Sequence, residues 1–437
     1  MKDMEWIVER IRRDAIPLRD GDGWTPLANA AAGARFALLG EASHGTSEFY
    51  VGRAELSKRL IAEHGFRIVA VEGDWPACYA LNRYVKRLPG APDDVREALR
   101  AFERWPSWMW ANEEIAAFAK WLRAYNDRLP EGEPKVGFYG LDVYSLWESL
   151  DEIVAYLERT GSPALERAKE AMRCFEAHER DEQSYAVAAS LYGEDCEDDV
   201  VRLLAELRRE RRPAASGEDD PEAGLAAEMN ALVGVNAEHY YRTMVRGDAA
   251  SWNVRDRHMV EVLARVADFY GPSSKAIVWE HNTHIGDARA TDMAEEGMVN
   301  VGQLVRERYG ADRTFAVGFG TYRGTVVAGR SWGAAAETMT VPPGRSGSWE
   351  DALHAAGAFD KILLLQNDPE PYRAVIPHRA IGVVYHPDRE RYGNYVPSNI
   401  AERYDAFVFY DVSKALTPLA PARDAAPKDE VEALFSQ

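Results

Sequence analysis

The stretch Phe36-Ala37-Leu38-Leu39-Gly40-Glu41-Ala42-Ser43-His44-Gly45-Thr46-Ser47-Glu48-Phe49-Tyr50 passes from a short apolar run through a glycine-bearing polar segment, and a helical pattern follows over residues 53–61. A short apolar run that ends at a glycine reads as a buried strand. The same unit recurs along the chain. Apolar runs at residues 68–71, 136–140, 276–279, 315–318, 381–385 and 407–410 each end in polar or Gly-rich residues, and helical patterns separate most of them. Strands that alternate with helices predict βαβ units and a parallel sheet covered on both faces. The near-continuous apolar character of these runs agrees with burial on both sides. The fold class is therefore α/β, with a mainly parallel central sheet flanked by helices.

Residues 146–270 break this rhythm, because they contain no convincing strand and run as amphipathic helix. The expected organisation is a first part of an α/β core over residues 1–145, an inserted helical subdomain over 146–270, and a second part of the core over 271–437. The one obvious break in the helical stretch is Pro213-Ala214-Ala215-Ser216-Gly217-Glu218-Asp219-Asp220-Pro221, which reads as an exposed, mobile loop.

At 437 residues the chain is long enough for two or three structural units, at about 150 residues each. With 46% apolar and 28% charged residues it has the composition of a globular protein. The 52 Lys and Arg against 71 Asp and Glu leave a net charge of −19, which repels phosphate backbones and anionic lipid. Nucleic acid and membrane surfaces are thus poor partners. No window approaches the ~20 consecutive apolar residues of a membrane span, and residues 1–11 read as a surface helix rather than a signal peptide. Cys78, Cys174 and Cys196 form no C-x-x-C pair and cannot all be bridged, which fits a reducing, cytoplasmic location.

In open parallel sheets ligands bind beyond the carboxyl ends of the strands. The residues found there are Glu41, His44 and Glu48 after the first run, Glu72, Asp74 and Trp75 after the second, Asp142 and Tyr144 after the third, and Glu280, His281, His284 and Asp287 after the fourth. Several titratable groups buried after different strands are costly unless they pair, so Glu41-x-x-His44 with His281-x-x-His284 points to a functional cluster. Glu48 and Asp74 serve equally well as helix caps. His64, His178, His239, His258, His354, His378 and His386 gain no role from sequence.

There is no H-E-x-x-H, no P-loop and no G-x-G-x-x-G after a strand, which argues against zincin, nucleoside triphosphatase and dinucleotide readings. Gly329-Arg330-Ser331-Trp332-Gly333 is a formal G-x-S-x-G, but a nucleophile elbow needs a long helix next. Residues 334–339 meet Pro342-Pro343 too soon to supply one, so Ser331 is a poor nucleophile. What remains is a His/Glu site. A histidine whose tautomer is held by a carboxylate can take a proton from water, while His281, His284 and Arg53 can donate hydrogen bonds to a developing oxyanion. Trp105-Pro106-Ser107-Trp108-Met109-Trp110, with Trp75, either lines an apolar pocket or packs between helix and sheet.

These residues resemble the erythromycin esterase family. The segments that carry the likeness are residues 40–50, 53–56, 69–75, 138–142, 251–256 and 279–287, spread over most of the chain in the family's order. The resemblance implies a metal-independent hydrolase, without cofactor, that opens a cyclic ester such as a macrolide lactone, with helical elements forming part of a deep cleft. It implies that His44 is the general base for water, that Glu41 and Glu72 surround and orient it, and that Arg53, His281 and His284 are the remaining polar residues of the cleft. Two other readings use the same residues. Glu41, His44, Glu72, His281 and His284 are plausible Zn²⁺ or Mn²⁺ ligands of a metal-dependent hydrolase. A non-catalytic protein would instead hold an apolar, hydroxylated ligand through Trp75, Trp105, Trp108 and Trp110. The negative charge favours a cationic small-molecule substrate, such as a macrolide with an amino sugar.

Overall fold

In the computed structural model of the chain, residues 2–18, 22–176, 182–192, 195–209, 220–245 and 249–419 are described. They belong to two compact units. Met1–Val69, Phe102–Leu122 and Ser273–Gln437 make up the first, and Ala70–Ala101 and Arg123–Pro272 the second, so that the division falls inside one strand. The strands among the described residues are β1 (Ile16–Pro17), β2 (Phe36–Leu39), β3 (Ile68–Asp74), β4 (Gly137–Asp142), β5 (Ala276–Trp279), β6 (Thr314–Ala328), β7 (Glu337–Val341), β8 (Lys361–Leu364), β9 (Val375–Arg379), β10 (Tyr395–Asn399) and β11 (Ala406–Ser413).

The sheet of the first unit runs β1-β8-β11-β6-β2-β5. Its centre is parallel, through the β11/β6, β6/β2 and β2/β5 ladders. Antiparallel pairs close the β1 side and attach β7 to the far end of β6. Phe36, Ala37, Leu38 and Leu39 are each 0% exposed, as a central strand buried on both faces requires. Each large side chain among them contributes about 1.5–3 kcal/mol by leaving water. The mainly parallel sheet, flanked by helices, is the one expected.

The second unit holds β4, the greater part of β3, and the helices Leu146–Thr160, Leu165–Glu176, Glu182–Tyr192, Glu197–Arg209, Ala223–Met244 and Ala249–Tyr270. The stretch 146–270 contains no strand among its described residues. Helix Ala223–Met244 lies at its centre and packs against four of the others.

Two expectations need correction. Residues 381–385 form no strand: Ile381 makes one parallel bridge to Ser43, and Val384 one to Gly329. The run is apolar because Ile381 and Tyr385 complete a small core with Val326, Ala328, Met339 and Val341. Residues 334–339 supply no long helix behind Ser331, in keeping with the sequence reading, since Glu337 to Met339 open strand β7. The cysteines are not all reduced, because Cys174 and Cys196 are joined in a disulfide and Cys78 alone is free. Helix Lys2–Asp14 is present at the N-terminus, with Ile7 and Ile11 buried. Of the acidic loop expected at 213–221, residues 213–219 lie outside the described ones, while Asp220 accepts a hydrogen bond from Tyr79. No helix among the described residues is long and apolar enough to cross a membrane.

Candidate active site

The loop after β2 turns sharply because Gly45 sits against β6. The Gly45 carbonyl accepts from Val327 N at 3.0 Å, and a Cβ on Gly45 would lie 1.9 Å from the Val327 oxygen. This turn brings His44 back over Glu41. His44 Nδ1 is 3.0 Å from Glu41 Oε1, and Arg53 donates from Nη2 to Glu41 Oε2 at 2.6 Å. An ionised carboxylate only accepts, so the proton of a neutral His44 ring sits on Nδ1 and Nε2 keeps its lone pair. Arg53 reaches Glu41 from helix Ser47–His64, whose start at the strand end sets the distance.

Arg53 was expected among the donors to an oxyanion, but it is 0% exposed. Its guanidinium lies between the rings of Tyr50, at 4.6 Å, and Trp279, at 4.9 Å. It therefore acts on Glu41, fixing the carboxylate in place, rather than on anything that enters from solvent.

His281 follows β5, and its ring centroid is 4.9 Å from that of His44. Its Nδ1 accepts from the backbone N–H of Thr283 at 3.3 Å and lies 2.8 Å from the Thr283 hydroxyl, capping the short helix Asn282–Ile285. With Nδ1 accepting, the proton of the neutral ring belongs to Nε2, which becomes a donor. His284 is buried on the same short helix.

Asn282, to which the sequence analysis assigned no role, ties these loops together. Its backbone N–H donates to the Glu41 carbonyl at 2.8 Å, and its side chain pairs with the Phe319 backbone on β6 at 2.7 and 3.2 Å. Arg403 donates to its carbonyl at 3.0 Å. Its amide also meets His378 Nε2 at 3.3 Å, and His378 Nδ1 is 2.7 Å from Glu350 Oε1. Burial lowers the His378 pKa, with Arg403 and Arg379 acting in the same direction against Glu350, so the ring stays neutral and can accept from Asn282.

The second unit has its own buried cluster. Glu72 and Asp142, on β3 and β4, share Arg255 from helix Ala249–Tyr270. Arg255 donates to Glu72 at 2.7 Å and to both oxygens of Asp142 at 2.7 and 2.9 Å, and its guanidinium lies 4.9 Å from the centre of the Tyr144 ring. Burial opposes charge on Asp142, yet Arg255 outweighs it and holds the carboxyl below its ordinary range. His258 Nε2 lies 3.3 Å from the Asp142 carbonyl, and burial pushes its pKa down to about 4.

The tryptophans divide. Trp75 is 0% exposed and stacks with Tyr79 and Tyr139, and Trp108 and Trp110 are buried as well, so these three serve packing. Trp105 is partly exposed. Ser331 is exposed in the connection between two antiparallel strands, with no helix behind it. Among the described residues no group of three or more His, Cys, Asp or Glu side chains is arranged to hold a metal ion.

An α/β sheet that carries a carboxylate-oriented histidine on the loop after a central strand has the equipment of a hydrolase. Residues 61–413 match the family model of erythromycin esterase, and the chain belongs to the erythromycin esterase family. The matched region includes Glu72, Asp142, Arg255, His281 and His284 and begins beyond Glu41, His44 and Arg53. A similar curated protein is the erythromycin esterase type II of Escherichia coli, 22% identical over 404 residues, covering 86% of this chain and 91% of that one. Among solved structures, a succinoglycan biosynthesis protein is similar with a TM-score of 0.77 and 21% identity, covering 96% of this chain and all of that one. A histidine-to-asparagine mutant of the erythromycin esterase EreC, in its open conformation, has a TM-score of 0.62 and 19% identity, covering 90% and 94% of the two chains. Family membership supports a hydrolase, and the solved structures share the fold.

Proposed function

We propose that the chain hydrolyses a carboxylic ester, and specifically a cyclic one, through water activated by His44. The observation that carries this reading is the buried series Arg53–Glu41–His44, in which each member fixes the next. His44 Nε2 takes a proton from water as the water oxygen attacks the ester carbonyl. His281 Nε2–H stabilises the oxyanion that forms. The tetrahedral intermediate then expels the alkoxide, which takes the proton back from His44, so one water is added and no covalent enzyme intermediate arises. Glu72 has a proposed part as a second carboxylate, taken from the family resemblance and tested by Glu72→Gln.

A macrolactone substrate and a cytoplasmic location belong to the same proposal, the Cys174–Cys196 disulfide being the feature that opposes a reducing compartment. The net charge of −19 supports a cationic substrate, and cell fractionation tests the location. The decisive experiment is a screen of macrolides and simpler lactones with wild type and His44→Ala, read by mass spectrometry. A gain of one water with wild type alone is expected. Unchanged turnover by a folded His44→Ala protein overturns the mechanism. Elemental analysis, with activity before and after chelation, tests the metal-dependent alternative.

A further inference from the structure

The first unit holds a second carboxylate–histidine couple that the hydrolytic steps do not use. His378, on β9, and Glu350, on helix Trp349–Ala355, are 1% and 0% exposed, and His378 Nδ1 lies 2.7 Å from Glu350 Oε1. We propose that Glu350 and His378 are positioning residues for ester hydrolysis, which hold the Asn282 side chain and, through it, the His281 turn and the Glu41 loop in the geometry that reacts. This inference rests on the ester-hydrolase reading above and adds to its machinery two residues that are closed to solvent.

The couple is costly as structure. Glu350 accepts both of its hydrogen bonds through Oε1, from the His378 ring and from the backbone N–H of Arg379 at 3.0 Å. Its other oxygen is buried without a hydrogen bond to any described residue. Nor do the neighbouring cations hydrogen-bond to it. Arg379 directs its guanidinium to Glu390 and to the carbonyls of Thr321, Tyr322 and Pro342, and Arg403 bonds to the Ser398 hydroxyl and the Asn282 carbonyl. A buried carboxylate with idle acceptor capacity lowers stability, and replacing such a couple by apolar side chains is often neutral or better. Packing alone therefore does not account for the couple, whereas the bond that its histidine makes to Asn282 does.

The direction of every bond in the series is set by partners that have only one role. The Phe319 N–H donates to Asn282 Oδ1 at 3.2 Å, and the Phe319 carbonyl accepts from Nδ2 at 2.7 Å. One Nδ2 hydrogen is left, and it faces His378 Nε2 at 3.3 Å. That nitrogen must offer its lone pair, so the ring proton sits on Nδ1, where Glu350 accepts it. The rings of Tyr404 and Phe407 flank the imidazole at 6.0 and 5.3 Å, inclined by 84° and 69°, and hold it in this orientation. The far end of the series is the reacting loop. Asn282 follows His281 directly, its backbone N–H donates to the Glu41 carbonyl, and a Cβ on Gly40 would lie 2.1 Å from its Oδ1. Loss of the bond to His378 frees the Asn282 amide to shift, which displaces both the His281 donor and the carboxylate that orients His44. Misplacement of this kind weakens the transition state more than substrate binding.

His378→Asn keeps a donor in the place of Nδ1 for Glu350 and loses the acceptor for Asn282, whereas His378→Gln keeps an acceptor in the place of Nε2. Both are compared with wild type on erythromycin and p-nitrophenyl acetate, with folding checked by circular dichroism. In His378→Asn kcat is expected to fall about tenfold with KM within about twofold of wild type, and His378→Gln is expected to recover most of the loss. A kcat within about twofold of wild type, or an equal loss in the two variants, overturns the proposal. If either His378 variant fails to fold, Glu350→Gln takes its place, since it keeps the shape of the side chain and its Oε1 acceptor. Without the carboxylate charge the ring proton is held less firmly on Nδ1, so kcat is expected to fall about threefold at constant KM, and an unchanged kcat overturns the proposal. If wild type hydrolyses neither ester, the esterase reading fails, and the positioning is tested alone by hydrogen–deuterium exchange of residues 280–286, read by mass. About tenfold faster exchange in the variant without the Asn282 acceptor, restored by His378→Gln, supports it, and exchange equal to wild type overturns it.

Discussion

Replacing Arg255 by Met leaves Glu72 and Asp142 buried together without the guanidinium that joins them. The charge centres are about 4 Å apart, which at an effective dielectric constant of about 20 corresponds to about 4 kcal/mol for each carboxylate. Proton uptake limits the damage, because neutralising one carboxyl at pH 7 from an unfolded pKa near 4 costs about 4 kcal/mol. The expected loss of stability at pH 7 is therefore about 3–5 kcal/mol, the range found when one partner of a buried ion pair is removed. Its pH dependence follows from the sign of the shifts. In the wild type the Asp142 pKa is lowered, so its stabilising contribution is present at neutral pH and fades as the pH falls through the acid range. In Arg255→Met the remaining carboxyls have raised pKa values, so the penalty is full above those values and shrinks toward the unfolded pKa. Between pH 7 and pH 5 the difference between the two proteins should narrow by about 2 kcal/mol. Chemical denaturation at both pH values, followed by circular dichroism, measures this. Adding Glu72→Gln and Asp142→Asn to Arg255→Met should recover more than half of the loss. A loss below about 1 kcal/mol at pH 7, or an equal loss at pH 5, refutes the reasoning.

His258 is held neutral, with its pKa pushed from 6.5 to about 4 by burial. Stability is full above pH 6.5 and falls as the pH approaches 4, by up to about 3 kcal/mol from this residue. His258→Gln should flatten that part of a denaturation series. Gly45→Ala places a Cβ 1.9 Å from the Val327 oxygen, a backbone atom that cannot step aside, and should cost at least about 3 kcal/mol, measured by chemical denaturation. Thiol titration of the unfolded, unreduced protein should find one free thiol from Cys78, and three after reduction. Ser331→Ala should leave ester turnover intact, and an organophosphate reagent should form no adduct at Ser331, read by mass.

The stretch 36–50 could be read directly, because strand, turn and helix are adjacent in sequence and each has its own pattern of apolar and polar residues. Glu41 and His44 were visible for the same reason, since three residues across a turn suffice to bring them together. Residues 381–385 show where this reading ends. Apolar character reports burial, and Ile381 and Tyr385 are buried in a small core without a ladder to pair with. The function of Arg53 could not be seen either, because nothing local says that Tyr50 and Trp279 enclose its charge. Arg255, Asn282, His378, Glu350 and Arg403 escaped for a related reason. Each takes its meaning from a partner far along the chain, and complementarity at that distance leaves no periodic trace. Trp75 shows the reverse: its residue type suggested a ligand wall, and only its stacking on Tyr79 and Tyr139 shows that it is core.

The Asn282 hub also has a consequence for the order in which the protein is made. Asn282 bonds backward to Glu41 and forward to Phe319, His378 and Arg403. About 360 residues separate Glu41 from Arg403, and a ribosome adding roughly 5–20 residues per second needs about 20 to 70 seconds to cover them. Until that interval ends, the Asn282 hub lacks its last partner, the Arg403 guanidinium that donates to the Asn282 carbonyl. A nascent chain that stops short of Arg403 therefore carries the histidine and its carboxylate but not the arrangement that makes them useful. Loss of the segment that carries Arg403, far from His44 in sequence, is therefore expected to arrive as a loss of whatever turnover the His44 site supports.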